Sequence, residues 1–139
     1  MLSQDNKEFI LQSSIPPEVK RILRDNKFDS LYVVNYRLNP FYLRGDFNND
    51  GVIDIALSIR NKSNSKEGFA IIHPNLKQMF ICGAGQKFNK YGDDFNWIDL
   101  WMVVPTKYHC EGIEVQKTET SSGILYWSGK KYLWLQGGD

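Results

Sequence analysis

Between residues 44 and 54 the chain reads Arg-Gly-Asp-Phe-Asn-Asn-Asp-Gly-Val-Ile-Asp. Oxygen-bearing side chains recur at Asp46, Asn48, Asp50 and Asp54, and Gly51 directly follows the third of them. Side chains two apart in a tight loop converge on one point, and a hard cation such as calcium takes about six to eight oxygen ligands. The chemistry on offer is oxygen coordination of a divalent cation by Asp46, Asn48, Asp50 and Asp54, with the backbone carbonyl of Val52 as a further ligand. Three carboxylates bring charge to displace water, and Gly51 permits the sharp turn that closes the loop. The same residues also suit a metal-free turn, because Asx side chains close turns on their own backbone N–H groups. An EF-hand is excluded. That loop ends in a bidentate Glu followed by a helix, whereas here Leu57 stands at the corresponding place and the residues after Gly51 alternate like a strand.

The elements that must hold this loop are mostly strands. The chain has 139 residues, one domain's worth, and 42% hydrophobic residues, enough for a packed core. Residues 1–14 are polar and read as a loosely ordered segment ahead of a single β-rich domain over 15–139. Pro16-Pro17-Glu18 followed by Val19, Ile22 and Leu23 predicts one helix at about 17–26. From there the apolar period drops to two. Strands are expected over 31–38, 41–44, 52–60, 68–73, 76–82, 97–104, 113–118, 124–127 and 132–136, with Pro74-Asn75 and Ser128-Gly129-Lys130-Lys131 as hairpin turns. No crossover helix separates them, so they pair antiparallel. The expected fold is mainly β (a β-rich α+β arrangement). About eight short antiparallel strands form a curled sheet or partly open barrel with one N-terminal helix.

Aromatic residues reach 14%, and their placement offers a second kind of chemistry. Trp97 and Trp101 share a strand face with Asp99, and Tyr132 and Trp134 share one with Gln136. Exposed, these faces make a flat platform for sugar rings or a protein partner. Covered by a second layer, they are core. Other constellations carry less. His109-Cys110-Glu111 places a base, a thiol and an acid side by side, although sequence neighbours seldom point at one another. His73 precedes Pro74 and reads as a polar residue at a turn. Asp93, Asp94 and Asp99 have no fixed separation that would make an acid–base pair. Cys82 and Cys110 set no disulfide framework. The net charge of +1 argues against a nucleic-acid footprint, and no apolar run is long enough to cross a membrane as a helix. No basic, then apolar, leader opens the sequence. The setting is cytoplasmic if Met1 is the native start, and periplasmic or secreted if a leader has been removed.

GDFNNDGVIDIALSI resembles the G-D-F-N-G-D-G-x-x-D signature of FG-GAP/VCBS-type β repeats through Gly45, Asp46, Phe47, Asn48, Asp50, Gly51 and Asp54. Asn49 replaces the usual Gly, and Asn also tolerates a left-handed backbone. The resemblance implies a calcium-binding loop. It does not imply a propeller, because one copy of the motif cannot supply several blades. The chain also resembles a group of small bacterial proteins in which a lone motif of this kind precedes a β meander and a C-terminal stretch like SGLIYWxGKKYxWxQxGD, matched here by residues 122–127 and 129–132. The C-terminus is similar, too, to membrane-bound inhibitors of c-type lysozyme, small β-barrels that insert a Ser and a Lys into an enzyme's cleft. Ser122 matches the Ser, but Gln136 stands where the Lys is expected. Taken together, the sequence predicts a non-enzymatic binding or structural module. Its cofactor is calcium at Asp46, Asn48, Asp50, Val52 and Asp54, or none if the loop is a plain turn. The alternative is an inhibitor, or a glycan- or protein-binding module, acting through Trp97, Trp101, Ser122, Tyr132 and Trp134.

Overall fold

In a computed structural model, residues 3–88, 91–108, 110–118 and 121–136 are described, apart from the Gln4 side chain. Three helices come first: α1 (Gln4–Ser14), α2 (Pro17–Asp25) and α3 (Phe28–Leu31). The α1 helix runs through the segment read as loosely ordered. Ser3 caps it by accepting the Asn6 N–H at 3.2 Å, and Leu11 anchors it, fully buried. The α2 helix starts on Pro17 with Glu18 in its first turn and buries Val19 and Ile22, as the spacing predicts. The Asn26 side chain stops it by donating to the Ile22 carbonyl at 2.7 Å.

Nine strands follow among the described residues: β1 (Tyr32–Val34), β2 (Tyr42–Gly45), β3 (Asp54–Asn61), β4 (Glu67–His73), β5 (Gln78–Gly83), β6 (Leu100–Pro105), β7 (Glu111–Lys117), β8 (Ser121–Trp127) and β9 (Tyr132–Gln136). All pairings are antiparallel. The first sheet has the order β1-β3-β4-β5, with β2 also paired to β3, and the second is the meander β6-β7-β8-β9. The two sheets do not close into a barrel. They stack, and the helices cover the outer face of the first.

This layering explains the burial of β3. Ile55, Leu57 and Ile59 face Leu11, Ile15, Val19 and Ile22 of the helices. The alternate residue Ala56 faces the other way, into an inter-sheet core built from Leu43, Phe47, Phe69, Ile71, Trp101, Ile113, Val115 and Leu125. Period two is kept, but neither face meets water. Each fully buried Ile or Leu here adds very roughly 1.5–3 kcal/mol. Several boundaries differ from the sequence reading. The stretch after Leu31 is extended only over Tyr32–Val34, and β6 starts at Leu100, not at Trp97. The β4–β5 hairpin turns through a 3-10 segment, Pro74–Leu76, with Lys77 left-handed at φ 53°. Ile53 lies outside β3 and is exposed.

Candidate metal centre

The 46–54 loop joins β2 to β3, starting from their last register pair, Gly45 and Asp54. Phe47 pins it by inserting, fully buried, between the sheets. Two left-handed residues, Asn49 (φ 56°) and Gly51 (φ 79°), turn the chain back on itself. The rest of the loop is closed by carboxylates on backbone N–H groups. Asp46 Oδ1 accepts from Asp50 N at 3.1 Å and its Oδ2 from Gly51 N at 2.8 Å. Asp50 Oδ1 accepts from Val52 N at 2.9 Å, and Asp54 Oδ2 accepts from Phe47 N at 2.8 Å. A tether to the second sheet completes it: Asp46 N donates to Glu111 Oε1 at 2.8 Å, and Glu111 N donates to the Asp46 carbonyl at 3.2 Å.

These bonds leave oxygen over. Asn48 Oδ1, Asp50 Oδ2 and Asp54 Oδ1 are buried without a hydrogen-bond partner, and among the described residues they are the only buried side-chain polar atoms in that state. All three belong to the ligand set read from the sequence. An unsatisfied buried polar group costs about 1–3 kcal/mol, more when charged. The electrostatics agree. Burial, then the charges of Asp50 and Asp46, push the Asp54 carboxyl up to about 7, against the pull of the Phe47 N–H. Burial also pushes Asp50 up, but the Val52 N–H and the Asn75 and Asn48 side chains outweigh it and hold that carboxyl below its ordinary value. The loop holds more buried oxygen than its N–H groups pair, and a cation relieves such a surplus.

The five predicted ligands thus divide. Asn48, Asp50 and Asp54 offer unpartnered oxygen. Asp46 is the turn-former, with both oxygens on backbone N–H groups, and Val52 enters through its own N–H. Among the described residues no three His, Cys, Asp or Glu side chains stand close enough to hold a metal ion between them. A cation here must therefore draw on the Asn48 amide oxygen, and on backbone carbonyls or water, beside the carboxylates. That donor set is all oxygen and fits calcium.

Behind the loop stands a pair that the sequence reading missed. His73 lies fully buried at the end of β4, on the same face as Phe69 and Ile71, and not at a solvated turn. Its Nδ1 is 3.1 Å from Asn48 Nδ2, and its Nε2 is 2.5 Å from the Tyr132 hydroxyl. Burial pushes the imidazole down to about 4, although Asp50 and Asp46 oppose this, so it is neutral at physiological pH. Burial also drives the Tyr132 phenol far above its ordinary value. The available signal was the period-two run Phe69, Ile71, His73.

The aromatic platform is corrected in part. Trp101 is 2% exposed, stacked on Phe69 at 4.6 Å, and its indole N–H donates to the Pro40 carbonyl at 2.5 Å. Tyr132 is 5% exposed and bonded to His73. Both are core, because the first sheet covers the face they occupy. Trp97, Ser122 and Trp134 do come together, with Tyr91, Lys117 and Gln136, around an open cleft of about 380 Å³. Trp134 stacks on Tyr91 at 4.8 Å and rests against Gly123, where an added Cβ would stand 2.1 Å from its ring. Gln136 is tied down, accepting the Trp134 indole N–H at 3.1 Å and donating to the Ser122 carbonyl at 3.1 Å.

The remaining chemistry-bearing residues have structural partners. Asp93 pairs with Lys66 at 2.6 Å, Asp94 accepts the Glu67 and Asn96 N–H groups at 3.1 Å each, and Asp99 accepts the Thr118 N–H at 3.1 Å. Both cysteines are free thiols; burial pushes Cys82 up to about 12, far from a nucleophile. His109 lies outside the described residues. Compared with protein-family models, curated proteins and solved structures, the chain matches none.

Proposed function

We propose that this protein is a non-enzymatic binding or structural module whose 46–54 loop holds a calcium ion. One observation carries the reading: Asn48 Oδ1, Asp50 Oδ2 and Asp54 Oδ1 are buried together in one short loop with nothing to accept from. The likeness of the loop to the FG-GAP/VCBS signature supports the choice of calcium. So does the mixed donor set, since magnesium demands stricter geometry and gives up water reluctantly. The ion's role is structural. It neutralises carboxylates that repel one another and fixes the turn that feeds β3, the strand on which both cores rest. Calorimetric titration of EDTA-stripped protein tests it. Binding of one calcium per chain is expected, and absence of binding at millimolar calcium overturns it.

A second reading concerns the partner. The cleft bordered by Tyr91, Trp97 and Trp134 combines aromatic rings with Lys117, Ser122 and Gln136, a mixture suited to a glycan or a protein side chain. A glycan array probed with the unmodified protein and with Trp97→Ala is expected to show a signal lost in the variant. A blank array for the unmodified protein counts against a glycan.

A further inference from the structure

The two sheets meet on one side and part on the other. On the first side β2 and β6 come together, with Gly45 against Val103 and the Asp46–Glu111 tether beside them. On the other side stand β5 and β9, each the last strand of its sheet and each bonded to one neighbour only. A groove of about 370 Å³ opens there.

Four consecutive residues of β5 line it: Met79, Phe80, Ile81 and Cys82. Met79 and Ile81 pack toward the helices, whereas Phe80 and Cys82 belong with the inter-sheet core. Successive side chains of a strand point to opposite faces, so a cavity that touches all four lies against the edge of the strand. Along such an edge alternate residues turn both N–H and C=O outward, open to a further strand. Among the described residues, no backbone–backbone hydrogen bond outside the β4 ladder reaches 79–82. Nor is the edge guarded. Native edges discourage pairing by shortness, charge or Pro. The β1 and β2 strands have three and four residues, and β6 ends at Pro105. The β5 strand has six, Gln-Met-Phe-Ile-Cys-Gly, with neither charge nor Pro.

The charge lies on the rim. Lys87 and Lys131 line the groove, both exposed, and among the described residues no Asp or Glu does. Neither ammonium takes part in an ion pair among those residues. A second copy pairing its own β5 here about a two-fold axis would bring two more ammonium groups to the same place, where they repel. An extended segment with Asp or Glu beside its apolar residues meets the rim with the opposite sign.

We propose that the β5 edge is a docking site for an extended acidic segment of a partner protein. The segment adds to the first sheet as a further strand, sets alternate apolar side chains over Phe80 and Cys82, and places carboxylates at Lys87 and Lys131. This docking needs no cation in the 46–54 loop.

Selection of random twelve-residue peptides against the full chain supplies the probe, read by amide hydrogen exchange and fluorescence anisotropy. The enriched peptides are expected to alternate apolar residues and carry Asp or Glu near their ends, and to slow exchange at Met79–Cys82. N-methylation of one alternate set of peptide N–H groups should abolish binding and of the other set should spare it, because an added strand turns only every second residue toward the edge. Lys87→Glu combined with Lys131→Glu should weaken the acidic peptide about tenfold at low salt. The proposal is overturned if no peptide is enriched over a bare surface, or if protection falls at Trp97 and Trp134 and not at β5. Equal tolerance of both N-methylated sets overturns it as well, as does unchanged affinity in the folded double variant. Protection of Met79–Cys82 that grows with concentration of the chain alone would make a second copy the occupant and overturn it too. Exchange in the unmodified chain decides the site even if the double variant does not fold.

Discussion

Strand β3 begins at Asp54 and ends at Asn61, and an Asx-rich turn sits at each end. At the far end Asn61 Oδ1 accepts the N–H groups of Ser63 and Asn64, at 2.8 and 3.4 Å, while its Nδ2 donates to the Ala84 carbonyl at 3.0 Å. Asn64 accepts the Lys66 N–H at 2.9 Å, and the Lys66 ammonium pairs with Asp93. That turn leaves no buried side-chain oxygen unpartnered. The 46–54 loop uses the same device at Asp46 and closes as well, yet three buried oxygens remain. Asx turn-making therefore does not by itself produce orphans. The loop has more oxygen than its backbone can satisfy, and the calcium proposal rests on that surplus.

The sharpest way to break this contrast is at Asp54. In calcium, Asp54→Asn should erase the whole calcium-linked stabilisation, ~2.7 kcal/mol at one hundred times the dissociation constant. In EDTA at pH 8 the same variant should be more stable than the unmodified protein by ~1 kcal/mol, because it removes a buried charge and adds a donor among acceptors. Urea unfolding with and without calcium reads both signs. At the other end of β3, Asn61→Ala should cost about 2 kcal/mol by stranding the Ser63 N–H and the Ala84 carbonyl. Its cost should be equal in calcium and in EDTA. A cost that depended on calcium would mean that the two turns are not separate.

Within the loop, Asp46→Ala should lower stability in EDTA by ~1 kcal/mol, since the Asp50 and Gly51 N–H groups lose their acceptor. Asp50→Ala frees the Val52 N–H but also removes a charge that repels Asp54, so it should lower the EDTA value less than Asp46→Ala does and abolish the calcium response. Thermal unfolding of the pair separates turn-former from ligand. The smallest effect is in pH. Asp54 in the metal-free fold titrates at about 7, above its unfolded value. Its contribution to folding is therefore complete below the unfolded pKa and is lost as pH rises through 7. The advantage of Asp54→Asn in EDTA should accordingly shrink toward zero as pH falls from 8 to 5. Comparing the two proteins at each pH cancels the opposite titration of His73.

The oxygen-rich loop was legible in the sequence because it is local: Asn48, Asp50 and Asp54, which carry the unpartnered oxygens, lie within seven residues, and period-two alternation after Gly51 placed the loop between strands. The His73–Tyr132 contact was not, since it joins residues 59 positions apart across two sheets. Alternation also identified which residues of β6 and β9 share a face, but it cannot say which face a second sheet covers. That is why Trp101 and Tyr132 fitted both a platform and a core. The α1 helix was missed because a mostly polar stretch needs only the Ser3 cap and the buried Leu11 to dock. Tertiary packing supplies what propensity lacks.

The measurement that goes most directly to the claim is thermal unfolding of EDTA-treated protein before and after addition of about 1 mM calcium, with magnesium as control. For a dissociation constant near ~10 μM the account predicts a calcium-specific rise of very roughly 8–12 °C. An unchanged midpoint, or an equal rise in magnesium, would contradict it and leave Asp46–Asp54 as a turn.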